Sequence, residues 1–165
     1  MSGELQTALL LYLTASDLGY EVAHVNAAWM LRRFPPERQG LLGRRGHGAG
    51  ALVSLLSPAG STREAKQQRQ LEVLLELDRR AAESGNLQAA VFMGDAFYYG
   101  RGVDQDKAAA AEWYLGASRG EPESTASAAQ ACFNLALMYL FGDGVQQDAH
   151  RAQRQARALS PPSTF

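Results

Sequence analysis

The chain has 165 residues, of which 46% are hydrophobic and 20% are charged, and its formal net charge is −1. This length suffices for one compact domain or a short array of repeats. The nearly balanced charge excludes a general electrostatic attraction to nucleic acid or to anionic lipid. No apolar run approaches the roughly 20 residues that a membrane-spanning helix needs.

The first elements in chain order are two helices, which helical periodicity predicts over about 4–17 and 20–33. The apolar run Leu9–Leu13 in the first helix is short and lacks the basic region and cleavage site of a signal peptide, so none is expected. Residues 34–62 are rich in proline and glycine, and they predict a flexible linker. A third helix is predicted over about 63–83.

The second half of the chain contains an internal repeat. The segment Tyr99–Asp106 returns 42 residues later as Phe141–Asp148. Periods of this length are typical of helical-repeat proteins. A more degenerate copy aligns residues 15–23 with 81–89. The repeat is therefore the main organising feature of the sequence.

Each repeat has the pattern of a helix pair. First helices are predicted from about 87 and 128, and second helices over about 107–118 and 148–158. Glycines should end each first helix, an aspartate should cap each second helix, and a small residue in each first helix should allow close approach of its neighbour. The residues assigned these structural roles are Gly94, Gly100, Gly102, Val103, Asp106, Ala136, Gly142, Gly144, Val145 and Asp148.

The segment Met93–Val103 and its copy at 135–145 resemble the Sel-1-like repeat, a relative of the tetratricopeptide repeat with the pattern L-G-x-x-Y-x-x-G-x-G-V. This resemblance implies an all-α fold, an α-α solenoid of about three Sel-1-like helix pairs. The predicted organisation has four parts: a degenerate first helix pair at 1–33, a Gly/Pro-rich linker at 34–62, the repeat solenoid at 63–158 and a short tail at 159–165.

Two further segments, Gly19–Ala23 and Asn26–Trp29, resemble the C-terminal repeats of the lumenal Sel-1-type adaptors of the HRD ubiquitin-ligase complex. The resemblance implies an adaptor that binds proteins, with a membrane RING-type ubiquitin ligase and degradation factors as partners. It also implies a location on the lumenal side of the endoplasmic reticulum, which requires upstream sequence that directs the chain into that compartment. Without such sequence, a cytoplasmic location is expected. The alternatives are a signalling scaffold and a bacterial-type repeat protein with hydrolase activity.

The sequence offers weak signals for an enzyme. Gly116–Gly120 fits the G-x-S-x-G pattern, and Gly46–Gly50 resembles an oxyanion-hole loop, but a nucleophile elbow needs a preceding strand where an alanine-rich helix is predicted. Cys132 is expected to be buried, and the three histidines share no ligand-like spacing with it. No catalytic, cofactor-binding or metal-binding residue is therefore assigned.

The aromatic residues are the remaining candidates for function. Trp29, Trp113 and the run at 97–99 are interpreted chiefly as core, because aromatic side chains at helical spacing are usually buried. Solenoids bind partners on the surface lined by the first helix of each pair. The residues of those helices that point away from the core are therefore the predicted partner contacts: Asp95, Tyr98 and Leu140.

Overall fold

The computed structural model describes residues 2–34, 62–120 and 126–159, and these residues form seven helices and no strand. The predicted all-α class is confirmed, and the predicted helix limits agree with the structure to within a few residues. The oxyanion-like loop at 46–50, most of the predicted linker and nearly all of the predicted tail lie outside the described residues. The helices are α1 Ser2–Asp17, α2 Glu21–Arg33, α3 Arg63–Glu83, α4 Leu87–Tyr99, α5 Lys107–Ala117, α6 Ala126–Phe141 and α7 Ala149–Arg157.

The chain folds as two compact units, and the first comprises Met1–Ser84. Within it α2 packs against both α1 and α3. Leu31 is fully buried at the centre, with Leu9 from α1 and Leu77 from α3 beside it. Alanines on the same face of α2, such as Ala27, keep that face small, so that both neighbouring helices approach it closely.

Polar contacts also hold the first unit together. Arg32 on α2 pairs with Asp78 on α3, whose side chain is almost completely buried. Burial raises the pKa of the Asp78 carboxyl, and the hydrogen bond from Arg32 opposes that rise. His24 is buried, and its Nδ1 lies 2.6 Å from the hydroxyl of Ser16 on α1.

The position of α3 differs from the predicted domain organisation, which grouped it with the repeats of 63–158. The boundary between the two compact units falls between Ser84 and Gly85, so α3 belongs with α1 and α2. The reason is physical: α3 buries Leu77 and Asp78 against α2, and these contacts tie it to the first unit.

The second unit, Gly85–Phe165, contains the two repeats that the sequence predicts. Helix α4 pairs with α5 and α6 pairs with α7, while α5 and α4 also contact α6. The first helix of each pair ends at a glycine with positive φ, Gly100 at 66° and Gly142 at 71°. Such a left-handed conformation costs a glycine little and other residues more, so the glycine turns are confirmed.

The second helix of each pair begins at an aspartate cap. The Asp106 carboxylate accepts a hydrogen bond from the backbone N–H of Ala109 at 3.0 Å. The Asp148 carboxylate accepts one from the N–H of Arg151 at 2.9 Å. Both caps were predicted, and both are confirmed. Because a cap fixes where a helix starts, each helix pair presents its side chains in the same register.

Candidate functional site

The close contact between α4 and α5 is the foundation of the candidate site. Gly94 on α4 faces the ring of Tyr114 on α5, and a Cβ atom at Gly94 would lie 2.5 Å from the Tyr114 Cε1 atom. Only a residue without a side chain fits there, so the predicted close approach at Gly94 is confirmed. Tyr114 is buried as a result, with 2% of its surface exposed.

The hydroxyl of Tyr114 is anchored in turn by Asp95. It donates a hydrogen bond of 2.6 Å to the Asp95 carboxylate. Burial and this bond both raise the pKa of Tyr114 far above its ordinary value, so the phenol stays protonated and remains a donor. The ring is therefore fixed as one wall of the neighbouring cleft.

That cleft lies in the second unit between the first helices of the two repeats. It has a volume of about 220 Å³ and opens to solvent. Aromatic and aliphatic side chains dominate its walls, with one amide and one carboxylate among them. The cleft is called here the tyrosine cleft, and it is lined by Tyr98, Tyr99, Tyr114, Asn134, Leu137, Met138, Phe141 and Asp143.

Asp143 joins the two repeats at one end of the tyrosine cleft. Its carboxylate accepts hydrogen bonds of 2.6 Å from the Tyr98 hydroxyl and from the Lys107 ammonium. The bonds from Lys107 and Tyr98 lower the pKa of Asp143, and the bond to Asp143 raises the pKa of Tyr98. Asp143 is therefore ionised at neutral pH, and its charge is matched within the protein.

Cations lie against the tyrosine rings of the cleft. The Arg101 guanidinium lies 4.7 Å from the centroid of the Tyr99 ring, and the Lys107 ammonium lies 5.2 Å from that of Tyr98. The two rings are themselves in edge contact, with centroids 4.9 Å apart. Contacts between cations and aromatic faces hold side chains in place. This end of the cleft is therefore organised before any ligand arrives.

The structure places the three predicted contact residues in different settings. Tyr98 lines the cleft, and its hydroxyl is engaged by Asp143. Asp95 is half-buried and supports the cleft from behind through Tyr114. Leu140 is 45% exposed on α6 but is not part of the cleft lining. A contact role for these residues stays a prediction.

Seven of the eight residues that line the cleft were not predicted as contacts: Tyr99, Tyr114, Asn134, Leu137, Met138, Phe141 and Asp143. Leu137 and Phe141 are four residues apart and share a face of α6, which is a visible signal for an exposed apolar stripe. The pairing of that stripe with α4 has no signature in the sequence, because it depends on how the two repeats pack.

The interpretation of the aromatic residues as core is wrong at two positions. Trp29 on α2 is 57% exposed, and Tyr99 on α4 is 58% exposed. Helical spacing alone does not distinguish the face that meets a neighbouring helix from the opposite face.

The structure gives no support to the hydrolase alternative. Ser118 follows the last residue of α5 as its C-terminal cap, and its hydroxyl donates to the Leu115 carbonyl at 2.9 Å. A helix therefore precedes it, where a nucleophile elbow needs a strand. Cys132 is buried as predicted, and burial raises the pKa of its thiol, which keeps it unreactive. In 2–34, 62–120 and 126–159, no three His, Cys, Asp or Glu residues cluster as a metal site would require.

The helix pairs, glycine turns and capped second helices define the second unit as an α-solenoid of helical repeats. The Sel1 repeat family matches residues 87–120 and 129–154, which are these two pairs. These two helix pairs therefore match the Sel1 repeat, as the resemblance predicted. None of the helices in the described part of the chain has the length and apolar character that crossing a bilayer requires.

Known proteins resemble this chain over most of its length. It is 37% identical over 154 residues to the "ERAD-associated E3 ubiquitin-protein ligase component HRD3A" of Arabidopsis thaliana, covering 93% of this chain and 19% of that protein. It is 32% identical to "Protein sel-1 homolog 2" of Rattus norvegicus, covering 92% of this chain and 18% of that protein. The chain thus spans about a fifth of the length of these relatives.

A solved structure shows the same fold. A protective antigen of uropathogenic Escherichia coli, described as displaying an SLR fold, superposes with a TM-score of 0.50 at 23% sequence identity. The alignment covers 93% of this chain and 33% of that protein. At this level of identity the likeness concerns the fold alone, and it confirms the predicted helical-repeat architecture.

Proposed function

We propose that this chain is a protein-binding segment of an adaptor in endoplasmic-reticulum-associated degradation, and that it acts within a ubiquitin-ligase complex. The observation that carries the proposal is the 37% identity to the HRD3A ligase component, which extends over 93% of the chain. It includes the first unit as well as the two Sel1 repeats. Similarity confined to the glycine turns of the repeats would support only a generic repeat.

The geometry is consistent with binding rather than catalysis. The tyrosine cleft has rigid aromatic walls, and its charged groups are held by internal partners rather than arranged around a reacting atom. Clefts that are mostly apolar with a few fixed polar groups are typical binding sites. Tyr99 and Phe141, which are 58% and 71% exposed, offer aromatic surface of the kind enriched in protein interfaces.

The proposed partners are a membrane RING-type ubiquitin ligase and degradation factors, and the proposed location is the lumenal side of the endoplasmic reticulum. The test is affinity purification of the tagged protein from its own cells, after gentle detergent solubilisation of membranes, with mass spectrometry of the recovered proteins. The tag alone, expressed at the same level, is the control. Recovery of a membrane ubiquitin ligase above that control is the expected result.

A different set of partners would change the conclusion. Recovery of soluble signalling proteins from the cytosolic fraction, without any ligase or degradation factor, would contradict the degradation role. The chain would then be a Sel1-repeat scaffold that serves another complex.

A further inference from the structure

The charges around the tyrosine cleft are unequally matched. Asp143 is paired with Lys107, and Asp95 accepts a hydrogen bond from Tyr114. Arg101 instead lies against the Tyr99 ring and makes no ion pair with any residue that the structure describes. Asp104, three residues further along the chain, is exposed and does not form an ion pair with Arg101. One cation is therefore available beside Tyr99, which lines the cleft, and the Tyr99 ring already orients it.

The interior of the cleft is suited to one large apolar side chain. A volume of about 220 Å³ would hold about seven waters at ~30 Å³ each. Leu137, Met138 and Phe141 form one wall, and Tyr98 and Tyr99 form another. Displacing loosely held water from such walls by an apolar group favours binding.

We infer that the tyrosine cleft binds an extended segment of a partner protein in which a large apolar side chain stands next to a carboxylate. The apolar side chain fills the cleft, and the carboxylate pairs with the Arg101 guanidinium outside it. This inference rests on the proposed function, since it specifies the chemistry by which the adaptor would bind a protein.

Charge complementarity favours this occupant over a basic segment. A lysine or arginine in the ligand would face Arg101, while the carboxylates of Asp95 and Asp143 are engaged by internal donors. A carboxylate at the mouth gains a charge-assisted hydrogen bond, which is roughly twice as strong as a neutral one. A carboxylate deeper in the cleft would meet the negative charge of Asp143, so the acidic residue belongs outside.

The test is selection of peptides from an unbiased random library displayed on phage, with the full-length protein immobilised. The expected result is enrichment of peptides in which Phe, Trp or Leu adjoins Asp or Glu. When the immobilised target is Arg101→Glu, the selected peptides should lose the acidic preference. When it is Arg101→Lys, they should keep it. Arg119→Glu reverses an exposed charge just beyond the end of α5 and is the matched charge control. It should select the same peptides as the wild-type protein.

The strongest selected peptide then serves as a fluorescent probe in an anisotropy titration. Arg101→Glu should weaken its binding by about tenfold or more, the loss expected for a hydrogen bond between charged groups. Tyr99→Ala should also abolish most binding. Phe133→Ala, an exposed aromatic on α6 outside the cleft lining, should leave binding unchanged. Circular dichroism of each variant checks that the helices are intact.

Two outcomes would overturn the inference: enriched peptides without an acidic preference, or binding that survives both Arg101→Glu and Tyr99→Ala. These results are separable from failure of the proposed function. The cleft can select acidic peptides although no ligase is recovered from membranes, and a ligase can be recovered although the cleft variants bind it normally.

Discussion

Gly94 offers a direct test of the packing that forms the tyrosine cleft. Gly94→Ala places a Cβ atom 2.5 Å from Cε1 and 2.7 Å from Cδ1 of Tyr114. Ordinary carbon contacts are about 3.5–4.0 Å, so the buried ring must shift by roughly 1 Å. That shift pulls the hydroxyl away from Asp95, to which it is bonded at 2.6 Å.

The expected magnitude follows from three effects. Overpacking costs about 1–3 kcal/mol, and weakening a hydrogen bond to a carboxylate costs up to about 1.5–3 kcal/mol. Alanine regains about 1 kcal/mol over glycine through helix propensity. Because the losses exceed the gain, Gly94→Ala should lower the free energy of unfolding of the second unit by about 1–5 kcal/mol.

The assay is urea denaturation followed by the fluorescence of Trp113 on α5, in a background where the exposed Trp29 is replaced by Phe. Gly116→Ala is the matched control, because a Cβ atom there meets nothing within 4 Å. The control should be unchanged or more stable by up to about 1 kcal/mol. If Gly94→Ala is as stable as this control, Tyr114 does not pack rigidly on Gly94, and the explanation of the cleft wall is wrong.

Three other changes test the remaining contacts. Arg32→Met leaves Asp78 buried without its partner and should lower the stability, measured by thermal unfolding, by about 2–4 kcal/mol. Adding Asp78→Leu should recover most of that stability, and no recovery would contradict this explanation. The Asp143 pKa is lowered, so its stabilisation is present above the unfolded pKa and is lost as pH falls through the folded pKa. Asp143→Asn should therefore be less stable than wild type in urea at pH 7, and a difference that does not shrink as the pH falls below the unfolded pKa would contradict this. Gly142→Ala forces alanine to a φ of 71° and should destabilise α6 and α7 by about 1–2 kcal/mol in hydrogen exchange, whereas unchanged protection would mean that the turn relaxes freely.

Residue type and spacing were enough to predict the helices, their ends and the repeat. Gly100 and Asp106 act within a few residues of their own positions, through backbone conformation and a local hydrogen bond, so their roles can be predicted from residue type. The recurrence at Gly142 and Asp148 identified a second helix pair of the same kind. Gly94 was also predictable, because a small residue in a packed helix face implies a close neighbour.

The surfaces that these helices bury, and those that they leave open, depend instead on how the helices pack together. The assignment of α3 to the first unit depends on contacts of Leu77 and Asp78 with α2. One of these joins Asp78 to Arg32, which is 46 positions away in the sequence. The tyrosine cleft depends on side chains from two repeats meeting, as when Tyr98 donates to Asp143 across 45 positions. Periodicity marks the faces of a helix but not the neighbours of each face, since those are set by long-range packing. That is the physical reason why the exposure of Tyr99 and the free charge of Arg101 became visible only in the folded chain.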